Sequence, residues 1–269
     1  MYLQLLPQPL GQGQDHHNHS LTSGAISAIK STSSSHTAPL STRAPDKLNR
    51  CTSPSADSNG QCATDKFATG LVQNKEWAAK YPELFPSLAF GQQPEILWIG
   101  CSDSRCPETA ILGLKPGDVF VHRNIANIIH YSDLNAACVI EYAVSHLKVK
   151  HIVLCGHTAC GGVSAALGNK KLGILDAWLM PLRRLRQQHL GLLQGLEHQE
   201  AIVKLSELNI LEGVARLKEN SVVLNAIEER GLQVHGLIYD VASGLLRELE
   251  GGESHEVIKA RLTAFKTQD

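Results

Sequence analysis

Two short segments of the sequence carry residues that suit a metal ion. Cys101 directly follows an apolar run ending at Gly100, and His157 and Cys160 follow another run ending at Gly156. Two thiolates and one imidazole are ligand types that zinc prefers. Three protein ligands leave one tetrahedral position for water, whose pKa a catalytic zinc lowers toward 7. We therefore predict a catalytic rather than a structural zinc site, with Cys101, His157 and Cys160 as its ligands.

The other cysteines have a simpler interpretation, because buried cysteines usually behave as small apolar side chains. Cys106, Cys138 and Cys155 are predicted to be core residues, since Cys138 has the spacing of a buried helix face and Cys155 lies within an apolar run. The three proposed ligands instead follow strands, where the functional crevice of an open α/β sheet is found. Glycines beside them, at positions 156, 161 and 162, favour tight turns.

Asp103 and Arg105 alternate with Cys101, so an extended loop would turn all three side chains to one side. An aspartate paired with an arginine stays ionised and can orient a metal-bound hydroxide by accepting its hydrogen bond. The alternative is an ordinary ion pair within a loop. We name Asp103 and Arg105 as candidate catalytic residues.

Strand-length apolar runs alternate with helical segments. The runs cover residues 95–100, 118–122, 151–156 and 233–240, with a shorter one at 245–246 after a turn at 243–244. This alternation predicts an α/β fold with a central, mostly parallel sheet flanked by helices.

Helical spacing occupies most of the remaining sequence. It covers residues 134–147, after a candidate N-cap at Ser132, and residues 172–229. An amphipathic pattern from Phe67 to Tyr81 predicts an N-terminal helical arm.

Composition excludes several classes of partner. The 269 residues have a net charge of −1 and are 43% hydrophobic, enough for one sizeable core. There is no dense Lys/Arg run for nucleic acid, and no stretch approaches the roughly 18 apolar residues of a spanning helix. Seven cysteines are too sparse for a disulfide framework, and an odd number does not pair completely. We expect a reducing compartment and neither nucleic acid nor a membrane as partner.

The N-terminal quarter differs from the rest, being rich in Ser, Thr, His, Gln and Pro and too polar to offset its ordering entropy. Only Asp15, Asp46 and Asp57 are acidic before Cys62. This bias favours a mitochondrial targeting segment, with a disordered tail of a cytoplasmic protein as the alternative. We predict a disordered or targeting segment at 1–65 and a single zinc-dependent catalytic α/β domain at 66–269.

The segments 101–105 (CSDSR) and 156–162 (GHTACGG) resemble the two signatures of the β-carbonic anhydrases. Residues 120–127, 140–144 and 236–240 are also similar to family segments, so the resemblance covers about residues 67–249. It implies a lyase that interconverts carbon dioxide and bicarbonate through a hydroxide on one zinc ion per chain. Two alternatives stay open: a hydrolase of carbon disulfide or carbonyl sulfide on the same scaffold, and a non-catalytic zinc or redox module.

The resemblance also implies the residues around the substrate. They would be Gln92, with a one-residue ambiguity at Gln93, together with Phe120, Ile125, Tyr142 and Gly161. Ile125 is equally consistent with core packing.

One subgroup of the family is inhibited when the dyad aspartate leaves its arginine and binds the zinc, and bicarbonate at a second site favours that state. The residues that resemble this regulatory site are Trp98, Arg123 and Tyr239, although Trp98 also suits the sheet core. The family implies a homodimer or a dimer of dimers, in which residues such as Gln92 and Tyr142 of a partner complete the pocket. An isolated monomer would then be inactive.

Overall fold

The computed structural model describes residues 65–249 and 252–267. The predicted targeting or disordered segment therefore lies outside the described residues, apart from Asp65. Within the described ranges no helix is both long and apolar enough to cross a membrane.

Five strands form one sheet. They are β1 (Ile96–Cys101), β2 (Val119–Asn124), β3 (His151–His157), β4 (Gln233–Tyr239) and β5 (Leu246–Glu248). Their order is β2-β1-β3-β4-β5, and only β5 is antiparallel to its neighbour. The predicted, mostly parallel sheet is confirmed, and each strand begins or ends within two residues of its predicted run.

Helices fill the connections. They are α1 (Lys66–Lys80), α2 (Leu84–Leu88), α3 (Glu108–Leu112), α4 (Leu134–Glu141), α5 (Gly161–Leu167), α6 (Leu175–Trp178), α7 (Met180–Gln188), α8 (Leu190–Leu193), α9 (His198–Glu219), α10 (Ser221–Arg230) and α11 (His255–Phe265). A 3-10 turn at Ile125–Asn127 follows β2, and a π-helical turn at Tyr142–His146 continues α4.

Two sequence-based predictions about α4 are wrong. The N-cap is Asp133, whose Oδ1 accepts a hydrogen bond from the backbone N–H of Asn135 at 3.0 Å, whereas the Ser132 hydroxyl bonds to the His130 ring at 2.8 Å. Cys138 is exposed rather than part of the core. Because Ala136 and Ile140 form the buried face of α4, a residue midway between them points the opposite way.

Close packing of α9 on the sheet depends on glycines. A Cβ atom added at Gly156 would lie 2.9 Å from Cδ1 of Ile210, and one at Gly236 would lie 2.8 Å from its Cγ2. A side chain at either position would push α9 off β3 and β4. The role predicted for Gly156, a tight turn, is therefore wrong, since this glycine makes room for a helix.

The arm helix α1 buries none of its residues within this chain. Leu71 and Trp77 are exposed, and the Trp77 ring makes edge contacts with Tyr81 and Phe85 at centroid distances of 6.1 and 5.0 Å. This helix presents apolar surface outward instead of adding to the core.

Candidate metal centre

Three predicted ligands meet where β1 and β3 end side by side. Cys101 is the last residue of β1, His157 is the last residue of β3, and Cys160 directly precedes α5. One ligand atom of each lies within 4.8 Å of the other two, and all three residues are buried. The two Sγ atoms are 4.0 Å apart. Parallel pairing of adjacent strands thus brings distant residues to one point.

The tautomer of His157 suits a metal ligand. Its Nδ1–H donates a hydrogen bond to the backbone oxygen of Thr158 at 2.9 Å, which leaves a lone pair on Nε2. Nε2 is buried and has no hydrogen-bond partner in the described structure. A buried acceptor without a partner costs free energy that binding a cation would remove. The donor set therefore fits zinc, with two sulfurs and one imidazole nitrogen.

The pKa values of Cys101 and Cys160 are shifted in opposite directions. The pKa of Cys101 is lowered to about 4, first by its hydrogen bond with Cys160 and then by His157 and backbone amides. One of these amides is the N–H of Ala126, 3.3 Å from Sγ. The pKa of Cys160 is raised by the Cys101 thiolate and by burial. Negative charge thus concentrates on Cys101, and a bound cation would favour the thiolate form of both.

A strained turn presents the Ala126 amide to Cys101. Ala126 and Asn127 have φ values of 62° and 44°, in the left-handed region that costs non-glycine residues free energy. The buried side chain of Asn209 on α9 stabilises this turn, because its Nδ2 donates to the oxygen of Ala126 at 2.9 Å. Ala126 and Asn209 were not among the predicted site residues. The available signal was a polar residue on the buried face of a helix.

The tight turn between His157 and Cys160 lies at Ala159, not at the glycines where tight turns were predicted. Ala159 has a φ of 55°, whereas neither Gly161 nor Gly162 has a positive φ. A Cβ atom at Gly162 would approach that of Ala126 to 3.0 Å, so this glycine gives the turn space. Gly161 faces open space, with nothing within 4 Å of an added Cβ.

Asp103 and Arg105 form the predicted pair. Nε and one terminal nitrogen of Arg105 donate to the two carboxylate oxygens at 2.9 and 2.7 Å. The guanidinium also donates to the oxygen of Ala159 at 3.1 Å, which ties the two ligand loops together. These hydrogen bonds hold the pKa of Asp103 well below its usual range. Oδ2 of Asp103 lies 3.9 Å from Nε2 of His157, so an ionised carboxylate stands beside the metal ligands.

Arg123 holds the backbone of the same loop. Its Nε donates to the oxygen of Cys101 at 2.8 Å, and a terminal nitrogen donates to the oxygen of Asp103 at 2.5 Å. Trp98 is 1% exposed in a core cluster against which Tyr239 packs. The bicarbonate site at Trp98, Arg123 and Tyr239 stays a prediction, and the bonds of Arg123 indicate a structural task as well.

The predicted substrate residues lie at the surface of the single chain. The rings of Phe120 and Tyr142 are 5.7 Å apart and line a shallow pocket of about 600 Å³. Tyr142 is 46% exposed and Ile125 is 40% exposed, so core packing does not explain Ile125. Gln92 is exposed before β1 and forms no hydrogen bond with any described residue. One chain therefore brings together the predicted metal ligands and the Asp103–Arg105 pair but leaves the predicted substrate residues open.

Comparison with known proteins finds the same family by profile and by sequence. A family profile described as "Carbonic anhydrase" matches residues 96–246. A carbonic anhydrase of Emericella nidulans is 48% identical over 182 residues, which are 65% of this chain and 80% of that protein.

Similar solved structures are also β-carbonic anhydrases. The crystal structure of the b-carbonic anhydrase CafA of Aspergillus fumigatus has a TM-score of 0.75 and 67% identity, covering 76% of this chain and 100% of that one. One of two tetrameric β-carbonic anhydrases from Sordaria macrospora has a TM-score of 0.68 and 51% identity, covering 70% of this chain and 99% of that one.

Proposed function

This chain belongs to the β-carbonic anhydrase family, and from that membership we propose that it interconverts carbon dioxide and bicarbonate with one zinc ion held by Cys101, His157 and Cys160. The observation that carries the zinc assignment is the convergence of three buried ligand atoms within 4.8 Å. The unpartnered Nε2 of His157 supports it, because that nitrogen needs a cation or a proton.

Cys101, His157 and Cys160 would hold the zinc ion, which would supply Lewis acidity that lowers the pKa of a water molecule toward neutrality. The protein's own residues do the remaining work. Arg105 keeps Asp103 ionised, so the carboxylate accepts a hydrogen bond from the nucleophile and fixes its orientation. Arg123 holds the carbonyl groups of the loop that carries Asp103. Phe120 and Tyr142 would offer apolar surface that confines carbon dioxide once a partner closes their pocket.

We further propose that the active form is an oligomer. The Sordaria relative is described as tetrameric, and this chain leaves Leu71 and Trp77 of α1 and Tyr142 exposed. Contact between copies would cover these side chains and close the pocket beside Phe120. The dimer or dimer of dimers that the family resemblance implies would shield the predicted substrate residues in this way.

Replacing Cys160 by serine tests the zinc assignment. A hydroxyl is a poor zinc ligand, so we expect Cys160→Ser to lose bound zinc and at least about a hundredfold of the carbon dioxide hydration rate. Metal analysis and stopped-flow hydration measure the two effects. Cys62→Ser is the matched control, because Cys62 precedes the catalytic domain predicted to begin at residue 66, and it should keep both. Normal zinc content and rate in Cys160→Ser would contradict the assignment.

A further inference from the structure

A second set of metal-ligating side chains lies at the opposite end of the sheet. His151 begins β3 and His157 ends it, so roughly 20 Å separates the two positions along the strand. Nδ1 of His151 lies 3.2 Å from Nε2 of His235 on β4. Nδ1 of His235 lies 2.8 Å from Oε1 of Glu248 on β5. The three side chains form a continuous row across three neighbouring strands.

The strand register holds these side chains on one face. His235 pairs with Val153, two residues after His151, and Glu248 pairs with Leu237, two residues after His235. Residues two apart on a strand share a face, and so do residues paired across strands. The backbone ladder therefore orients the two imidazoles toward each other without help from a flexible loop.

Hydrogen bonding prepares His235 to bind a cation. A carboxylate oxygen accepts, so Nδ1 of His235 carries the proton donated to Glu248, and Nε2 presents a lone pair toward His151. Metal-binding histidines typically donate their other ring N–H to a carboxylate, a backbone carbonyl or water, and Glu248 is such a partner. Two nitrogens about 2.1 Å from one metal, at octahedral or tetrahedral angles, are about 3.0–3.4 Å apart. The observed separation of 3.2 Å falls inside that interval.

The surroundings are favourable for positive charge and open to water. Lys150, the neighbouring ammonium, donates to Glu95 at 2.5 Å, and Glu248 adds a second carboxylate. The pKa of Glu95 is lowered chiefly by Lys150 and further by His151, as expected for a carboxylate near that ring. The His235 side chain is 27% exposed, so solvent can supply the remaining ligands.

We propose that His151 and His235 form a second cation site, selective for imidazole-binding divalent ions such as Ni²⁺, Cu²⁺ or Zn²⁺, with Glu248 orienting His235. Binding requires a lone pair on Nδ1 of His151. The proton on this nitrogen is released to solvent while Nε2 of the same ring takes one up, so a neutral pair binds the ion with no net proton change and no redox step. With two protein ligands, the site binds more weakly than the three-ligand centre.

Calorimetric titration with Ni²⁺ of the full-length protein, loaded with only one zinc ion per chain so that the weaker site is empty, tests this site. Histidines in the N-terminal segment also bind Ni²⁺, so the readout is the difference between variants. We expect His151→Asn and His235→Gln each to lose one Ni²⁺ per chain relative to the wild type. His255→Gln is the matched control, because His255 is an exposed histidine on α11, and it should bind as the wild type does.

Glu248→Gln keeps the test decisive if either histidine variant fails to fold. Loss of the orienting carboxylate should weaken this one Ni²⁺ site about 10- to 100-fold while leaving carbon dioxide hydration unchanged. The same Ni²⁺ stoichiometry and affinities in the wild type and the folded variants would overturn the proposal. The two imidazoles would then only share a proton.

Discussion

At the scale of single residues, the five described cysteines differ because of what surrounds them. Cys101 and Cys160 lie beside a histidine at the ends of strands, whereas Cys155 is enclosed within β3, where burial raises the pKa of its thiol. Burial is the main cause for Cys155, whereas the pKa of Cys160 is raised first by the neighbouring Cys101 thiolate, an effect that a shared cation would reverse. Whether a cysteine can serve as a metal ligand therefore depends on its position relative to the strand end. The apolar runs in the sequence were sufficient to predict this.

The dyad gives the residue-scale prediction. Arg105→Lys replaces a bidentate guanidinium by a point charge and also removes the contact with Ala159. We expect kcat/KM for hydration to fall about 10- to 100-fold, because Asp103 is less well fixed. Zinc content should stay at the wild-type value, since the three ligands are unchanged.

Arg183→Lys provides the control. Arg183 pairs with Asp176 at 2.8 Å in an ion pair away from the ligands, so its loss should leave the hydration rate as in the wild type. Equal rates for Arg105→Lys and the wild type would reduce Asp103 and Arg105 to an ordinary loop ion pair.

At the scale of elements, the strands were predictable because a parallel sheet buries continuous apolar runs. The turn at Ala126 was not, because its left-handed backbone is sustained by Asn209, 83 residues away. Local propensity does not register such a long-range hydrogen bond. The start of α4 was also not predictable from the sequence, because Asp133 and Ser132 are both favourable N-cap residues and only the structure shows that Asp133 is the cap.

Docking of the C-terminal helix gives the element-scale prediction. Glu253, just before α11, accepts hydrogen bonds from Lys218 on α9 and from Arg261 on α11. Burial alone would raise the pKa of Glu253, but these hydrogen bonds hold it below its usual value. The folded pKa is thus lower than the unfolded value of about 4.3, so the stabilisation is complete above that pH and disappears as the pH falls through the folded pKa.

We therefore expect Glu253→Gln to weaken protection of α11 by about 1–2 kcal/mol at pH near 6, and by little once Glu253 is protonated. Amide hydrogen exchange of α11, measured at pH near 6 and at a pH below the folded pKa of Glu253, gives this difference. Glu229→Gln, an exposed change on α10 outside this ion-pair cluster, serves as the control. A pH-independent loss of protection would show that the ion pairs do not account for docking.

At the scale of the whole molecule, the family resemblance predicted one catalytic domain whose pocket a partner completes at Gln92 and Tyr142, but the sequence did not show that α1 buries none of its residues within the chain. Among the described residues, the arm helix and the Phe120–Tyr142 pocket are apolar and exposed, as expected of surfaces that a second copy would cover in the proposed oligomer. Amphipathic spacing indicates an apolar face but does not say whether the partner is the same chain. The mitochondrial location inferred from the N-terminal segment stays a prediction.

The domain boundary supplies the prediction at this scale. A protein starting at Lys66 should fold, keep the oligomeric state of the full-length chain and retain its hydration rate, because the residues assigned here to catalysis all follow that point. Light scattering after size-exclusion chromatography and stopped-flow assays measure these properties. Loss of the oligomer on truncation would mean that the N-terminal segment takes part in assembly.

The central claim is that one zinc ion is shared by two thiolates and one imidazole, with a position left for substrate chemistry. Zinc K-edge X-ray absorption of the wild-type protein at one zinc per chain measures this directly. The account predicts two sulfur neighbours at about 2.3 Å, one imidazole nitrogen at about 2.0 Å and one further oxygen. Four sulfurs, or zinc with no sulfur neighbour, would contradict it.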